Sequence, residues 1–259
     1  MSSQIEIPES FPIAGEVTGK RVVITGAGRG LGSVLAHAFS GAGALVALVS
    51  RTERDLKTVA EVLPGSSLVL PGDVTDEDFN EEVADATVAE WGGLDVWICN
   101  AGVSPVVGGP RETEPRAWRH VLDVNLTGAF LGARAAARVM GEGGRLIFTG
   151  SVLGERPRKG LSAYSASKAG LTGLAKGLAL DLAPAGITVN VVAPGWFDSP
   201  LAEGWKNSPR LDAAITGHTA LRRWGAPREL AGAYQFLASD AAAFITGTVV
   251  SVDGGYLLA

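Results

Sequence analysis

The chain has 259 residues, 46% of them hydrophobic and 19% charged, which suits one large core and is too little charge for a disordered chain. The formal net charge of −5 argues against nucleic acid or an anionic membrane surface as the main partner, while leaving room for a local basic pocket that binds an anionic cofactor. Cys99 is the single cysteine, so an intramolecular disulfide is excluded, and the scattered His37, His120 and His218 show no metal-ligand spacing.

Residues 1–19 form a polar N-terminal extension with Glu6, Glu9 and Glu16, lacking the basic start and apolar block of a signal peptide. No later apolar run is long enough to span a bilayer, and a cytoplasmic protein is expected. From residue 20 onward, short β-rich runs alternate with longer helical stretches. Strands are predicted at Arg21–Thr25, Ala44–Val49, Ser67–Leu70, Leu94–Ile98, Arg145–Thr149, Ile187–Val192 and Thr248–Val252. Most are continuous apolar runs, as strands buried on both faces require. Helices are predicted near 30–41, 53–62, 76–91, 115–140, 162–183 and 227–238. Asp76 suits the N-cap of the third helix and Gly92-Gly93 its end; Pro184 and Gly186 stop the long helix after Ala183. Residues 195–217, with Trp196, Phe197, Gly204, Trp205 and Pro209, show no clean periodicity and read as a mobile insertion, a substrate lid over one end of the sheet. The expected fold is a single α/β domain over 20–259, a doubly wound parallel seven-stranded sheet of Rossmann type.

The first strand runs into Thr25-Gly26-Ala27-Gly28-Arg29-Gly30-Leu31-Gly32, which then opens a helix. In that setting Gly26 permits the tight turn, Gly30 lets the backbone approach a pyrophosphate, and Gly32 permits close helix–strand packing. The helix N-terminus offers free N–H groups to phosphate. A glycine-rich turn without a ligand has the same composition, so the context carries the reading.

Thr-Gly-x-x-x-Gly-x-Gly resembles the motif of the short-chain dehydrogenase/reductase family. Further family marks follow in order along nearly the whole chain: Cys99-Asn100-Ala101-Gly102, Asn125, Ser151, Tyr164 with Lys168, and Pro194-Gly195. The resemblance implies a homotetrameric enzyme that moves hydride between a nicotinamide dinucleotide and a small carbonyl or alcohol substrate. It assigns Asn125, Ser151, Tyr164 and Lys168 to catalysis, with Asn125 holding a water that feeds protons to Lys168. It places Asn100, Ala101 and Gly102 along the cofactor, Asp73 on the adenine amino group, Val74 in the adenine pocket, and Lys168 on the nicotinamide ribose. Ser199 stands where the family has a threonine for the nicotinamide amide. Cys99 replaces the family's first Asn and puts one structural hydrogen bond in doubt. From the residues alone, Asp73 equally suits a turn and Asn125 a satisfied core amide.

Charge argues for NADP(H). After the second strand, NAD-using proteins carry an acid for the ribose 2′-hydroxyl. Here the position is Ser50, followed by Arg51, with Arg29 in the glycine loop as a second cation for a 2′-phosphate. Tyr164 and Lys168 lie four apart in a helical stretch and share a face. An ammonium there would favour the phenolate of a group whose reference pKa is about 10. Ser151 follows the fifth strand, where its hydroxyl can hold a substrate oxygen beside Tyr164.

Trp196, Phe197 and Trp205 suit either an apolar pocket or lid packing. Glu155, Arg156, Arg158 and Lys159 read as solvated, with contact to an anionic substrate as the alternative. The run from His218 to Pro227 is similar to the gluconate/sugar-acid branch of the family and to 3-oxoacyl-carrier reductases, so both keto-sugar or keto-acid and acyl or cyclic ketone substrates stay open. A non-catalytic NADPH-sensing protein on the same fold also stands. The terminal Tyr256-Leu257-Leu258 suggests burial against another subunit.

Overall fold

The structure is a computed structural model, and it describes residues 13–104 and 107–259. Most of the expected extension, residues 1–12, lies outside the described residues. Val17 is already wholly buried in the core, so the packed body begins within that stretch.

Seven parallel strands form one sheet in the order β3-β2-β1-β4-β5-β6-β7. They are β1 (Arg21–Thr25), β2 (Leu45–Ser50), β3 (Ser67–Pro71), β4 (Val96–Cys99), β5 (Arg145–Thr149), β6 (Thr188–Pro194) and β7 (Val249–Val252). Side chains of these strands alternate between two cores. On one face Val23, Ala47, Trp97, Leu146, Phe148 and Val189 meet α3 (Glu77–Trp91), α5 (Gly128–Val139) and α6 (Ser162–Leu182). On the other, Val22, Ile24, Leu48, Ile98 and Ile147 meet α1 (Gly30–Gly41), α2 (Glu53–Ala60) and α9 (Arg228–Ala238). Burial on both faces is why the strands read as unbroken apolar runs. The order reverses between β1 and β4, and the gap this leaves at the carboxyl ends of the strands is where open α/β sheets bind ligands.

The expected caps are present. Asp76 accepts from the Phe79 amide, Gly92 ends α3 in the left-handed region at φ 76°, and Gly186 follows α6 at φ 71°. Two expectations fail. The single helix read over 115–140 is split into α4 (Pro115–Leu122) and α5 by a π-helical turn at Asp123–Thr127. That wider turn carries Asn125, whose amide is drawn sideways into bonds with the Val103 backbone; such π-turns cluster at functional sites. The segment 195–217 is also not an irregular insertion. It contains α7 (Glu203–Lys206) and α8 (Pro209–His218), folded against the sheet end by Phe197, which is 5% exposed and bridges to Gly225.

Candidate active site

The turn after β1 is shaped by what its glycines exclude. Gly26 sits at φ 69°, and a Cβ on it would lie 2.9 Å from the Ala101 Cα. A Cβ on Gly32 would run into the Gly26 carbonyl oxygen and lie 2.7 Å from Asn100 Nδ2, so α1 starts hard against the ends of β1 and β4. No side chain caps α1 and its first turn holds no acid, which leaves its N-terminal amides facing the cavity. One buried polar network locks the floor. Asn100 Nδ2 donates to the Thr25 carbonyl at 2.9 Å, the Thr25 hydroxyl accepts from the Asn100 and Ala101 amides, and Thr149 Oγ1 meets the Tyr234 hydroxyl at 2.8 Å.

A cavity of about 460 Å³ opens along this edge. Every residue expected to bind the cofactor lines it: Gly26, Arg29, Gly30, Leu31, Gly32, Ser50, Arg51, Asp73, Val74, Asn100, Ala101, Gly102, Tyr164, Lys168, Pro194, Gly195 and Ser199. Arg29 and Arg51 are exposed at one end. Asp73 is occupied locally, accepting from both the amide and the hydroxyl of Thr75 at 2.9 Å. The segment after β6 reaches over the glycine turn, since a Cβ on Gly30 would lie 3.4 Å from Pro200 Cδ.

At the other end stand Tyr164 and Lys168, one turn apart on α6. Lys168 is 4% exposed; its Nζ donates to the Thr149 carbonyl at 2.7 Å and lies 5.7 Å from the centre of the Tyr164 ring. Burial lowers its pKa from the ordinary 10.5 to about 8. Burial also raises the Tyr164 phenol, with the neighbouring Ser151 hydroxyl opposing. Burial is the larger of the two influences, and Ser151 is the partner that favours the phenolate. Ser151 also accepts from the Leu153 amide at 3.1 Å.

Asn125 does not line the cavity. Its amide bonds the Val103 carbonyl at 3.0 Å, the Val103 amide at 2.8 Å and the Ser167 hydroxyl at 3.0 Å, so its side chain is a satisfied core amide. It remains adjacent, because a Cβ on Gly102 would lie 3.5 Å from both Asn125 Oδ1 and Lys168 Nζ. The Cys99 thiol keeps a weak bond to the Ala129 carbonyl at 3.4 Å, and burial pushes it up, away from thiolate.

Several wall residues were not anticipated. Asp55 on α2 lines the cavity beside Ser50, and a Cβ on Gly28 would touch both, at 3.2 Å and 2.9 Å. Of the charged loop before α6, Arg158 lies 5.4 Å from the ring centres of both Trp196 and Trp205, and Arg156 lies 5.9 Å from that of Tyr256. These two guanidinium groups are therefore packed on aromatic faces rather than merely solvated. Tyr256 is 3% exposed and packed in its own chain beside Trp196, with Leu258 left 91% exposed, so the terminal patch is smaller than its sequence suggests.

A doubly wound sheet whose switch point opens into a glycine-lined cleft, with a Tyr/Lys pair at the far end, defines a nicotinamide-dinucleotide oxidoreductase. The family described as "Enoyl-(Acyl carrier protein) reductase" matches residues 26–257. A cis-4-hydroxycyclohexanecarboxylate dehydrogenase from Sinomonas cyclohexanicum is 37% identical over 247 residues, covering 93% of this chain and 98% of that protein. A 3-oxoacyl-acyl-carrier-protein reductase from Escherichia coli is 35% identical, covering 92% and 97%. A short-chain dehydrogenase from Burkholderia cenocepacia, solved in complex with NADP, superposes with a TM-score of 0.86 at 33% identity, covering 93% and 99%. The chain belongs to the short-chain dehydrogenase/reductase family and is an oxidoreductase. Among the described residues no helix is long and apolar enough to cross a membrane, and no cluster of His, Cys, Asp or Glu could hold a metal ion.

Proposed function

We propose that the protein interconverts a ketone and a secondary alcohol with NADP(H), Tyr164 exchanging the proton with the substrate oxygen. The observation that carries this reading is Tyr164 at the inner end of the glycine-lined cavity, with Lys168 one turn away on the same helix and held by the Thr149 carbonyl. The residues fit a nicotinamide dinucleotide, because the turn is a cradle that a Cβ at Gly26 or Gly32 would fill. Gly26, Gly30 and Gly32 would face its pyrophosphate, Asn100, Ala101 and Gly102 its length, and Ser199 its amide. When bound, that group supplies or accepts the hydride.

In reduction Ser151 holds the carbonyl oxygen and Tyr164 donates its proton as the carbon is reduced. Burial suits this direction, since a phenol pushed up stays protonated and available as an acid. Lys168 holds the dinucleotide ribose and, once charged, stabilises the phenolate left behind. The satisfied amide of Asn125 fixes the Val103 backbone beside this pair, which makes it a positioning residue rather than one that touches substrate.

Arg29 and Arg51 support NADP(H) over NAD(H), and the Burkholderia relative binds NADP. Asp55, which lies 3.7 Å from the Arg54 guanidinium, stands at the same end and opposes them. Segment 195–217 serves as the substrate lid, and exposed Phe130, Leu180, Phe244 and Leu258 offer apolar surface for a homotetramer. Consumption of NADPH with a ketone panel, repeated on Tyr164→Phe, tests the reading. Loss of roughly 10²–10⁴-fold in kcat with cofactor binding retained is expected. Turnover at the parental rate in that variant refutes the mechanism.

A further inference from the structure

We infer that the substrate is an uncharged, apolar ketone or the matching secondary alcohol, and that sugars and keto acids are rejected. The inference rests on the ketone–alcohol reading above and extends it to substrate class. Between Tyr164 and the lid the cavity is walled by Val103, Val152, Leu153, Leu161, Trp196 and Trp205. Among the described residues the charged side chains that line the cavity, apart from Lys168, are Arg29, Arg51, Asp55 and Asp73, and they belong to the turn after β1, to the end of β2 with α2, and to the end of β3. All four are at the dinucleotide end. Lys168 donates to the Thr149 carbonyl and is otherwise engaged, in the reading above, with the dinucleotide ribose and Tyr164.

The two arginines that sequence suggests for an anionic substrate are engaged elsewhere, and Lys159 is exposed and not among the residues lining the cavity. Arg158 does not line the cavity; it sits against the Trp196 and Trp205 rings, holding the loop before α6 to the lid. Arg156 is bonded to the carbonyls of Tyr256 and Ala259. Trp196 and Trp205 meet at 5.4 Å between ring centres with a 53° tilt, and Trp224 and Tyr256 pack against Trp196, which makes the wall broad and largely apolar. Entry of a polyol would strip its hydroxyls of water without replacing those bonds, and a carboxylate would fare worse. An apolar ring or chain gains on the same wall.

A matched pair of ketones isolates the charge. With NADPH and with NADH, 4-methylcyclohexanone is expected to exceed 4-oxocyclohexanecarboxylate by at least tenfold in kcat/KM, and to exceed a keto-sugar acid by more. Trp205→Lys, which brings a cation into the wall, is expected to narrow the first ratio while NADP+ affinity, read by fluorescence titration, stays as in the parent. Equal or better turnover of the carboxylate by the parent overturns the apolar assignment and leaves the ketone–alcohol reading standing. If none of the three is turned over, quenching of the tryptophan fluorescence by 4-methylcyclohexanol in the NADP+ complex still supports the apolar site while counting against the reaction. Absence of that quenching as well overturns both.

Discussion

Lys168 carries a measurable cost of burial. Lowering its pKa from 10.5 to about 8 means that the charged form is destabilised by about 3 kcal/mol in the folded, ligand-free protein. Between pH 8 and 10.5 the unfolded chain holds more protons at this lysine than the native one, so native stability rises with pH across that window and the full penalty applies below it. Lys168→Met removes the titration. The difference in unfolding free energy between parent and variant, from urea titrations without cofactor, should shift by about 2 kcal/mol in the parent's favour between pH 7 and pH 9.5. Other groups titrate alike in both proteins and cancel. A difference that stays flat over that interval means that Lys168 is not desolvated, and the account of the site's electrostatics fails with it.

Gly32→Ala should leave a folded protein destabilised by roughly 1–3 kcal/mol, because its Cβ must push back the Gly26 carbonyl and Asn100, and NADP+ affinity should fall at least tenfold in a fluorescence titration. Parental affinity would show that the turn is not the phosphate cradle. Asp55→Asn should tighten NADP+ by about fivefold with NAD+ unchanged, since an exposed charge pair is worth of order 1 kcal/mol, and Arg51→Ala should act in the opposite sense. Equal effects on both dinucleotides would place these side chains away from the 2′-phosphate.

The strands and the glycine turn were legible because their signals are local. A parallel strand buried on both faces is an apolar run, and a turn that admits no Cβ is a glycine cluster. The lid helices escaped because α7 is four residues long and α8, at ten, buries only Ile215. Pro209 at the first turn of α8, preceded by Ser208, was the available start signal. Nothing in the pattern of 115–140 marks the π-turn, which follows from Asn125 meeting a loop twenty-two residues before it. Asp55 reads as one more surface charge on α2, and only the close approach of Gly28 makes it part of the cavity. The Thr25, Thr149 and Tyr234 hydroxyls behave likewise, each ordinary in sequence and paired only through the sheet order.

Burial pushes both members of the Tyr164–Lys168 pair toward neutrality, the phenol up and the ammonium down. With its pKa near 8 Lys168 is still mostly charged at pH 7, so the pair is an ammonium beside a protonated phenol rather than an ammonium–phenolate pair. Bound NADPH, with a neutral reduced ring and anionic phosphates, would add net negative charge to the same cavity and favour the charged form of Lys168. Lys168 then holds more protons in the complex than in the free protein. By linkage, cofactor binding takes up a fraction of a proton near pH 8, at most about half, and affinity declines as pH rises above that value. Calorimetric titrations of NADPH at pH 8 in two buffers of different ionisation enthalpy read the uptake directly, and Lys168→Met should abolish it. Binding by the parent protein without proton uptake would mean that Lys168 is already charged when the cofactor arrives, and that burial does not govern the pair.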